Sequence, residues 1–154
     1  MQLPSCTDKL DNRGKAGRGA AQGVRPRTVG AGMFELVFQT HFAAAHNLRG
    51  YEGSCERLHG HNWKIEVYLR AEKLDRLGMV VDFREIKATA RGVLDSLDHS
   101  YLNELQPFKD ENPTTENVAK WVFEELRKLL PAHLEVHKVT AWESEHCGAS
   151  YMES

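Results

Sequence analysis

The sequence predicts an α+β fold: one antiparallel sheet with two helices on one face, in the order β-β-α-α-β-β. Three observations predict it. Residues 34–39 and 62–69 alternate apolar and polar side chains, the period of a half-buried strand. Two later stretches, from 83 and from 114, repeat apolar residues at helical spacing. The sequence then returns to short apolar runs near its end.

Phe34, Leu36 and Phe38 face one way in the first strand, with Glu35, Val37 and Gln39 on the other face. The run continues through His41-Phe42-Ala43-Ala44-Ala45-His46. Residues 47–60 are rich in glycine and polar groups and read as a loop. Trp63, Ile65, Val67 and Leu69 then alternate with Asn62, Lys64, Glu66 and Tyr68, a second strand antiparallel to the first. Phe83, Ile86, Ala90, Val93, Leu94 and Leu97 form one helical stripe over 83–97. Asn112-Pro113 is a turn, and Thr114 or Thr115 is a suitable N-cap for a second helix, which Pro131 ends. Val136, Val139 and Ala141-Trp142 predict a third strand, and 149–152 a short fourth. There is no internal repeat and no second domain.

The chain has 154 residues, 41% hydrophobic and 27% charged, which suits one soluble globular domain. Residues 1–32 hold six of the twelve glycines, a net charge of +4 and no apolar periodicity, against −2 for the whole chain. They are expected to be a disordered basic tail, with 33–154 the single folded domain. Met33 opens the first patterned segment, which suggests that translation starts there. No apolar run is long enough to span a bilayer, and no secretory h-region precedes the domain. Three scattered thiols, Cys6, Cys55 and Cys147, make no disulfide framework, so a cytoplasmic location is expected. The acidic body and the lack of an aromatic-basic pattern argue against a nucleic-acid partner, and no membrane partner is expected.

Eight histidines concentrate the chemistry. His59 and His61 are i and i+2 at the mouth of a strand, so both point to one face, about 7 Å apart along the backbone. Gly60 between them lets the backbone approach a ligand closely. His46 ends the preceding strand, and antiparallel pairing brings it to the same place. Three imidazoles without a fourth protein ligand describe a catalytic zinc with an open position. Cys55 lies in the loop feeding this strand, where a cation would favour its thiolate as ligand, nucleophile or general base. Cys147 reads as a small buried cysteine. Asp98-His99 closes the first helix; the carboxylate can orient the imidazole and raise its pKa. Glu143 follows the third strand, where its carboxylate could accept two N–H bonds from a planar heterocycle.

In one order the chain carries Phe42-Ala43-Ala44-Ala45-His46, Cys55-x-x-x-His59-Gly60-His61, Gly78-Met79-Val80-Val81-Asp82-Phe83, Leu97-Asp98-His99-x-x-Leu102-Asn103, Asn112-Pro113-Thr114-Thr115-Glu116-Asn117 and Glu143. Together these resemble the 6-pyruvoyltetrahydropterin synthase family, and within it the 6-carboxytetrahydropterin synthases of queuosine biosynthesis. The resemblance covers residues 33 to the C-terminus. It implies the tunnelling fold, and a homohexamer of two stacked trimers with active sites between subunits. The substrate it implies is 7,8-dihydroneopterin triphosphate, converted to 6-carboxy-5,6,7,8-tetrahydropterin, acetaldehyde and triphosphate. By resemblance His46, His59 and His61 bind Zn2+, Cys55 accepts a proton, Asp98 and His99 relay protons, and Glu143 anchors the pterin. Thr114, Thr115 and Glu116 are candidate substrate contacts. Arg57 and Lys87 are basic groups available to the triphosphate.

Glu56 adds an ambiguity. A branch making 6-hydroxymethyl-7,8-dihydropterin for folate carries Glu-x-x-His-Gly-His, and Cys55-Glu56-Arg57-Leu58-His59-Gly60-His61 satisfies both patterns. A folate or dual activity, a 6-pyruvoyltetrahydropterin synthase, and a non-catalytic zinc- or pterin-binding protein are the competing readings.

Overall fold

The computed structural model describes residues 32–153. The expectation of a disordered tail over 1–32 lies, but for Gly32, outside them. The elements are β1 (Phe34–His46), β2 (His59–Ala71), α1 (Phe83–Leu94), β3 (Ser100–Tyr101), α2 (Thr115–Leu129), β4 (Glu135–Trp142) and β5 (Gly148–Tyr151). They form one sheet in the order β3-β1-β2-β4-β5. The predicted strands and helices are all present. What differs is β3, a two-residue strand that pairs parallel to β1 through Ala44–Ser100 and Ala45–Tyr101.

β1 and β2 pair along their whole lengths, from Phe34 opposite Ala71 to His46 opposite His59. Alternation fixes this register, because a slip of one residue would move every core side chain to the other face. Phe38, Phe42, Ala44 and His46 are buried on β1, and Trp63, Ile65, Val67 and Leu69 on β2. The opposite face is polar: Gln39 donates to Glu66 at 2.8 Å, and Lys64 lies 3.3 Å from the same carboxylate. On β4 the buried Val136 and Val139 are three apart, which simple alternation forbids. A bulge resolves this. Tyr68 pairs with Lys138 and Leu69 with Val136, so His137 is the extra residue.

Both helices cover the apolar face. Asp82 caps α1, its carboxylate accepting from the Arg84 N–H at 2.8 Å. The predicted stripe is correct for Ile86, Ala90, Val93 and Leu94, but Phe83 is 44% exposed. It is the first residue of α1. The helix stops at Leu94, short of the predicted 97, although Leu97 remains buried in the turn that follows. Thr114 caps α2, accepting from the Asn117 N–H at 3.3 Å. Val118, Ala119, Val122, Phe123 and Leu126 form its buried face. Truncating Phe123, 2% exposed, to Ala would cost about 3–5 kcal/mol. Cys147 corrects an expectation: it is exposed, in the connection between β4 and β5, with its N–H on the Ser144 hydroxyl at 3.1 Å. No helix among the described residues is long and apolar enough to cross a membrane.

Candidate active site

The long β1–β2 pairing ends in a cluster of imidazoles. His46 stands directly across from His59, and Ala44 from His61, so the three rings leave the same face at adjacent positions. One potential ligand atom from each lies within 4.8 Å of the others. His46 is buried at 2% exposure, and Trp63 walls the cluster, its ring 5.2 Å from His46 and 5.6 Å from His61.

The hydrogen bonds decide which nitrogens are free. His46 Nδ1 is 2.7 Å from the Pro113 carbonyl, and His59 Nδ1 is 2.7 Å from the Arg57 carbonyl. A carbonyl only accepts, so each Nδ1 carries a hydrogen and each Nε2 a lone pair. Those two Nε2 atoms face each other at 3.1 Å. Two lone pairs at that distance repel unless a cation lies between them. Tetrahedral zinc with Zn–N bonds near 2.05 Å would set its ligands about 3.3 Å apart, close to this spacing. His61 Nε2 is buried with no hydrogen-bond partner. Burial, the largest cause, lowers the pKa of both His46 and His61 and so favours the neutral, metal-binding form. The three residues therefore fit a metal ion.

Cys55 lies outside that converging group. It sits half-buried in a 3₁₀ turn, Ser54–Glu56. Its carbonyl accepts from the Leu48 N–H at 2.8 Å, and the Glu56 carbonyl from Asn47 Nδ2 at 3.1 Å. The Glu56 side chain is exposed.

Asp98 and His99 follow α1. The Ala43 N–H donates to one Asp98 oxygen at 2.8 Å, and His99 Nδ1 lies 2.9 Å from the other. The Ala43 bond is the main favourable cause holding Asp98 below the usual carboxylate range. Adjacent side chains seldom meet this way. They do here because His99 adopts a left-handed φ of 54°, which swings the ring back over Asp98. The His99 N–H is tied to the Ala43 carbonyl at 2.6 Å, yet its side chain is 83% exposed. A cavity of about 530 Å³ has both His61 and His99 on its wall, with Ala45, Gly60 and Tyr101. A Cβ at Gly60 would make only ordinary contacts, the nearest 3.6 Å from the Ala44 carbonyl. The packing at that position does not require glycine.

Glu143 is half-buried beyond β4, and its charge acts on both His46 and His61. It accepts from the Thr115 hydroxyl at 2.9 Å. The structure thus joins Glu143 and Thr115 beside the histidines. Thr114 is occupied in capping α2, and Glu116 is exposed in its first turn. Lys87 faces a separate groove with His41, Arg84 and Arg91. Trp63, Asn47 and the Pro113 and Arg57 carbonyls were missed from sequence. Backbone carbonyls leave no residue signature, and Trp63 reads simply as core.

The family model for 6-pyruvoyl tetrahydropterin synthase matches residues 35–154. A dihydroneopterin monophosphate aldolase of Pyrococcus furiosus is 36% identical over 73% of this chain and 92% of its own length. A 6-carboxy-5,6,7,8-tetrahydropterin synthase of Synechocystis is 40% identical over 62% of this chain and 77% of its own. The structure of Caenorhabditis elegans 6-pyruvoyl tetrahydropterin synthase superposes with a TM-score of 0.72 at 31% identity, covering 80% of this chain and 97% of that one. The sheet and helices are therefore those of the tunnelling fold. The hairpin that gathers three imidazoles is built on a scaffold shared with these enzymes, and the chain belongs to the 6-pyruvoyl tetrahydropterin synthase family of pterin-processing lyases.

Proposed function

We propose that this enzyme is a zinc-dependent 6-carboxy-5,6,7,8-tetrahydropterin synthase acting on 7,8-dihydroneopterin triphosphate, with release of acetaldehyde and triphosphate, in queuosine biosynthesis. The observation that carries the reading is the three converging imidazoles at the β1–β2 end, two of them with Nε2 lone pairs facing each other, with Cys55 near them in sequence but outside their set. A thiol that is not a ligand is free to move a proton.

When bound, zinc supplies Lewis acidity toward the two side-chain hydroxyls. His46, His59 and His61 hold it, with the Pro113 and Arg57 carbonyls fixing two of the rings. Cys55, as thiolate, takes a proton from the side-chain carbon beside the ring, and the electron pair passes into the ring. His99 exchanges a proton at a hydroxyl through Nε2, with Asp98 steadying Nδ1. Glu143, set by Thr115, accepts N–H bonds from the pterin edge. Triphosphate leaves from the terminal carbon, and carbon–carbon cleavage with uptake of water then separates the remaining two carbons as acetaldehyde. The exposure of the His99 side chain supports a site completed by another subunit, in a hexamer of two trimers. So does the β1 edge, which pairs with β3 only at Ala44 and Ala45. A cytoplasmic location follows from the same reading. The folded domain is assigned to 33–154 and the tail is outside the reaction.

A second reading is favoured by the Pyrococcus relative's name and by Glu56 beside Cys55. Glu56 taking the proton of the outer hydroxyl would break the same carbon–carbon bond as a retro-aldol step, giving 6-hydroxymethyl-7,8-dihydropterin and a two-carbon aldehyde that keeps its phosphate chain. Chromatography of the wild-type reaction distinguishes the two. Carboxypterin lost in Cys55→Ala with zinc retained supports the first. A hydroxymethyl product that disappears in Glu56→Ala supports a dual activity. A wild type yielding only the hydroxymethyl product would overturn the carboxypterin assignment.

A further inference from the structure

Asn47 follows the last residue of β1, and all four of its polar groups are engaged. Its N–H donates to Asn103 Oδ1 at 3.0 Å, and Asn103 Nδ2 donates back to the Asn47 carbonyl at 2.9 Å. Asn103 is 6% exposed, so its side of this two-way clamp is shielded from water. The side-chain amide reaches in two other directions. One end lies 3.1 Å from the Glu56 carbonyl, the other 2.6 Å from the Tyr101 hydroxyl. Only one orientation satisfies both. A carbonyl accepts, so Nδ2 faces Glu56, and the Tyr101 hydroxyl donates to Oδ1. Next along the chain, the Leu48 N–H holds the Cys55 carbonyl at 2.8 Å.

Tyr101 and Asn103 belong to the segment that presents Asp98 and His99. That segment is itself fixed to β1, through the Asp98 and His99 bonds to Ala43. We propose that Asn47 is a positioning residue for the reaction: with Tyr101 and Asn103 it couples the loop bearing Cys55 to the segment bearing Asp98 and His99. The inference rests on the reading of Cys55 as the proton acceptor. Asn47 touches no reacting atom. It sets where the turn carrying Cys55 lies relative to His99, and a loop free to drift by about 1 Å would lose on the order of a hundredfold in rate.

The test uses the full-length, zinc-loaded enzyme. Tyr101→Phe removes one hydroxyl and keeps the ring. Asn47→Asp keeps the acceptor for Tyr101 and replaces the donor to Glu56 with an oxygen. Four readouts are taken: kcat and KM for dihydroneopterin triphosphate, zinc per chain, thermal midpoint, and the iodoacetamide alkylation rate of Cys55 relative to Cys147 by peptide mass spectrometry. Tyr101→Phe is expected to lower kcat at least about tenfold, with KM within about threefold and zinc unchanged. The Cys55-to-Cys147 ratio should move by about threefold or more, and Asn47→Asp should move both quantities further. Tyr151→Phe, a hydroxyl deletion on β5, should move neither. An unchanged kcat and alkylation ratio in Tyr101→Phe overturns the proposal, as does a kcat loss that tracks zinc loss. Cys55→Ala is read separately. Full activity there removes the thiol from the chemistry, while the alkylation ratio in Tyr101→Phe and Asn47→Asp still reports whether Asn47 positions the loop.

Discussion

The three-histidine end of the β1–β2 hairpin and the Asp98–His99 corner are held by different means. At the hairpin end, thirteen consecutive strand pairings carry the register to His46 and His59, and Trp63 closes the cluster from the core side. At the corner, a short segment hangs on β1 by a few hydrogen bonds to Ala43 and a two-residue strand, and its imidazole points out of the chain. The three-imidazole end is complete within one chain. The Asp98–His99 corner is anchored in the chain but presents its imidazole outward. The division suits the proposed tasks. A metal needs donors fixed to a few tenths of an ångström, which a sheet provides. A proton carrier needs access to substrate, which burial would deny.

The largest expected effect breaks the hairpin side. His59→Ala removes one of three donors and should strip more than about 90% of the zinc and lower turnover by at least about a thousandfold, since outer-sphere changes alone cost 10–100-fold. Elemental analysis of the purified variant checks it, and a full zinc complement would take His59 out of the site. On the corner side, Asp98→Asn keeps an oxygen for the Ala43 N–H but removes the charge beside His99. Turnover should fall about a hundredfold with zinc and fold intact. Zinc loss in that variant would erase the proposed independence of the two regions.

A smaller effect concerns pH. The Asp98 carboxyl is held below its ordinary range, chiefly by the Ala43 N–H, so its contribution to stability is present above the unfolded carboxyl pKa. That contribution disappears as pH falls through the folded value. Between about pH 5 and pH 3 the wild type should therefore lose more thermal stability than Asp98→Asn does. Parallel melting curves would sharpen the comparison, and identical pH slopes would refute it. The smallest effect is expected from deleting residues 1–32. Zinc content and kcat should stay within about twofold, because the segment has no apolar period with which to join a core. A truncated chain that fails to assemble would reverse that assignment.

The hairpin region was legible because its information is periodic. Alternation from Phe34 onward and around Trp63 gave two strands, and the i, i+2 spacing of His59 and His61 gave a shared face. Antiparallel pairing then supplied His46. The caps at Asp82 and Thr114 follow from short polar side chains ahead of helical stripes, though the sequence left Thr114 and Thr115 as alternatives for the second and named no cap for the first. The corner was harder to read. A two-residue strand has no period, so β3 was invisible. The clamp on Asn47 joins residues 54 and 56 apart in sequence, and no local pattern encodes it. The exposure of Cys147 was misjudged because cysteine is buried on average, whereas this one occupies a turn.

The left-handed backbone at His99 carries a final implication for anyone altering this enzyme. For a residue with a Cβ that conformation is disfavoured by roughly 1–2 kcal/mol, and glycine escapes the penalty. His99→Gly would therefore relax the chain while deleting the imidazole. Selection for heat resistance alone would reward such a change, and the surviving clones would be sturdier proteins without the corner imidazole. With the role proposed for His99, durability and turnover pull in opposite directions here, so a library screened for one must be counter-screened for the other.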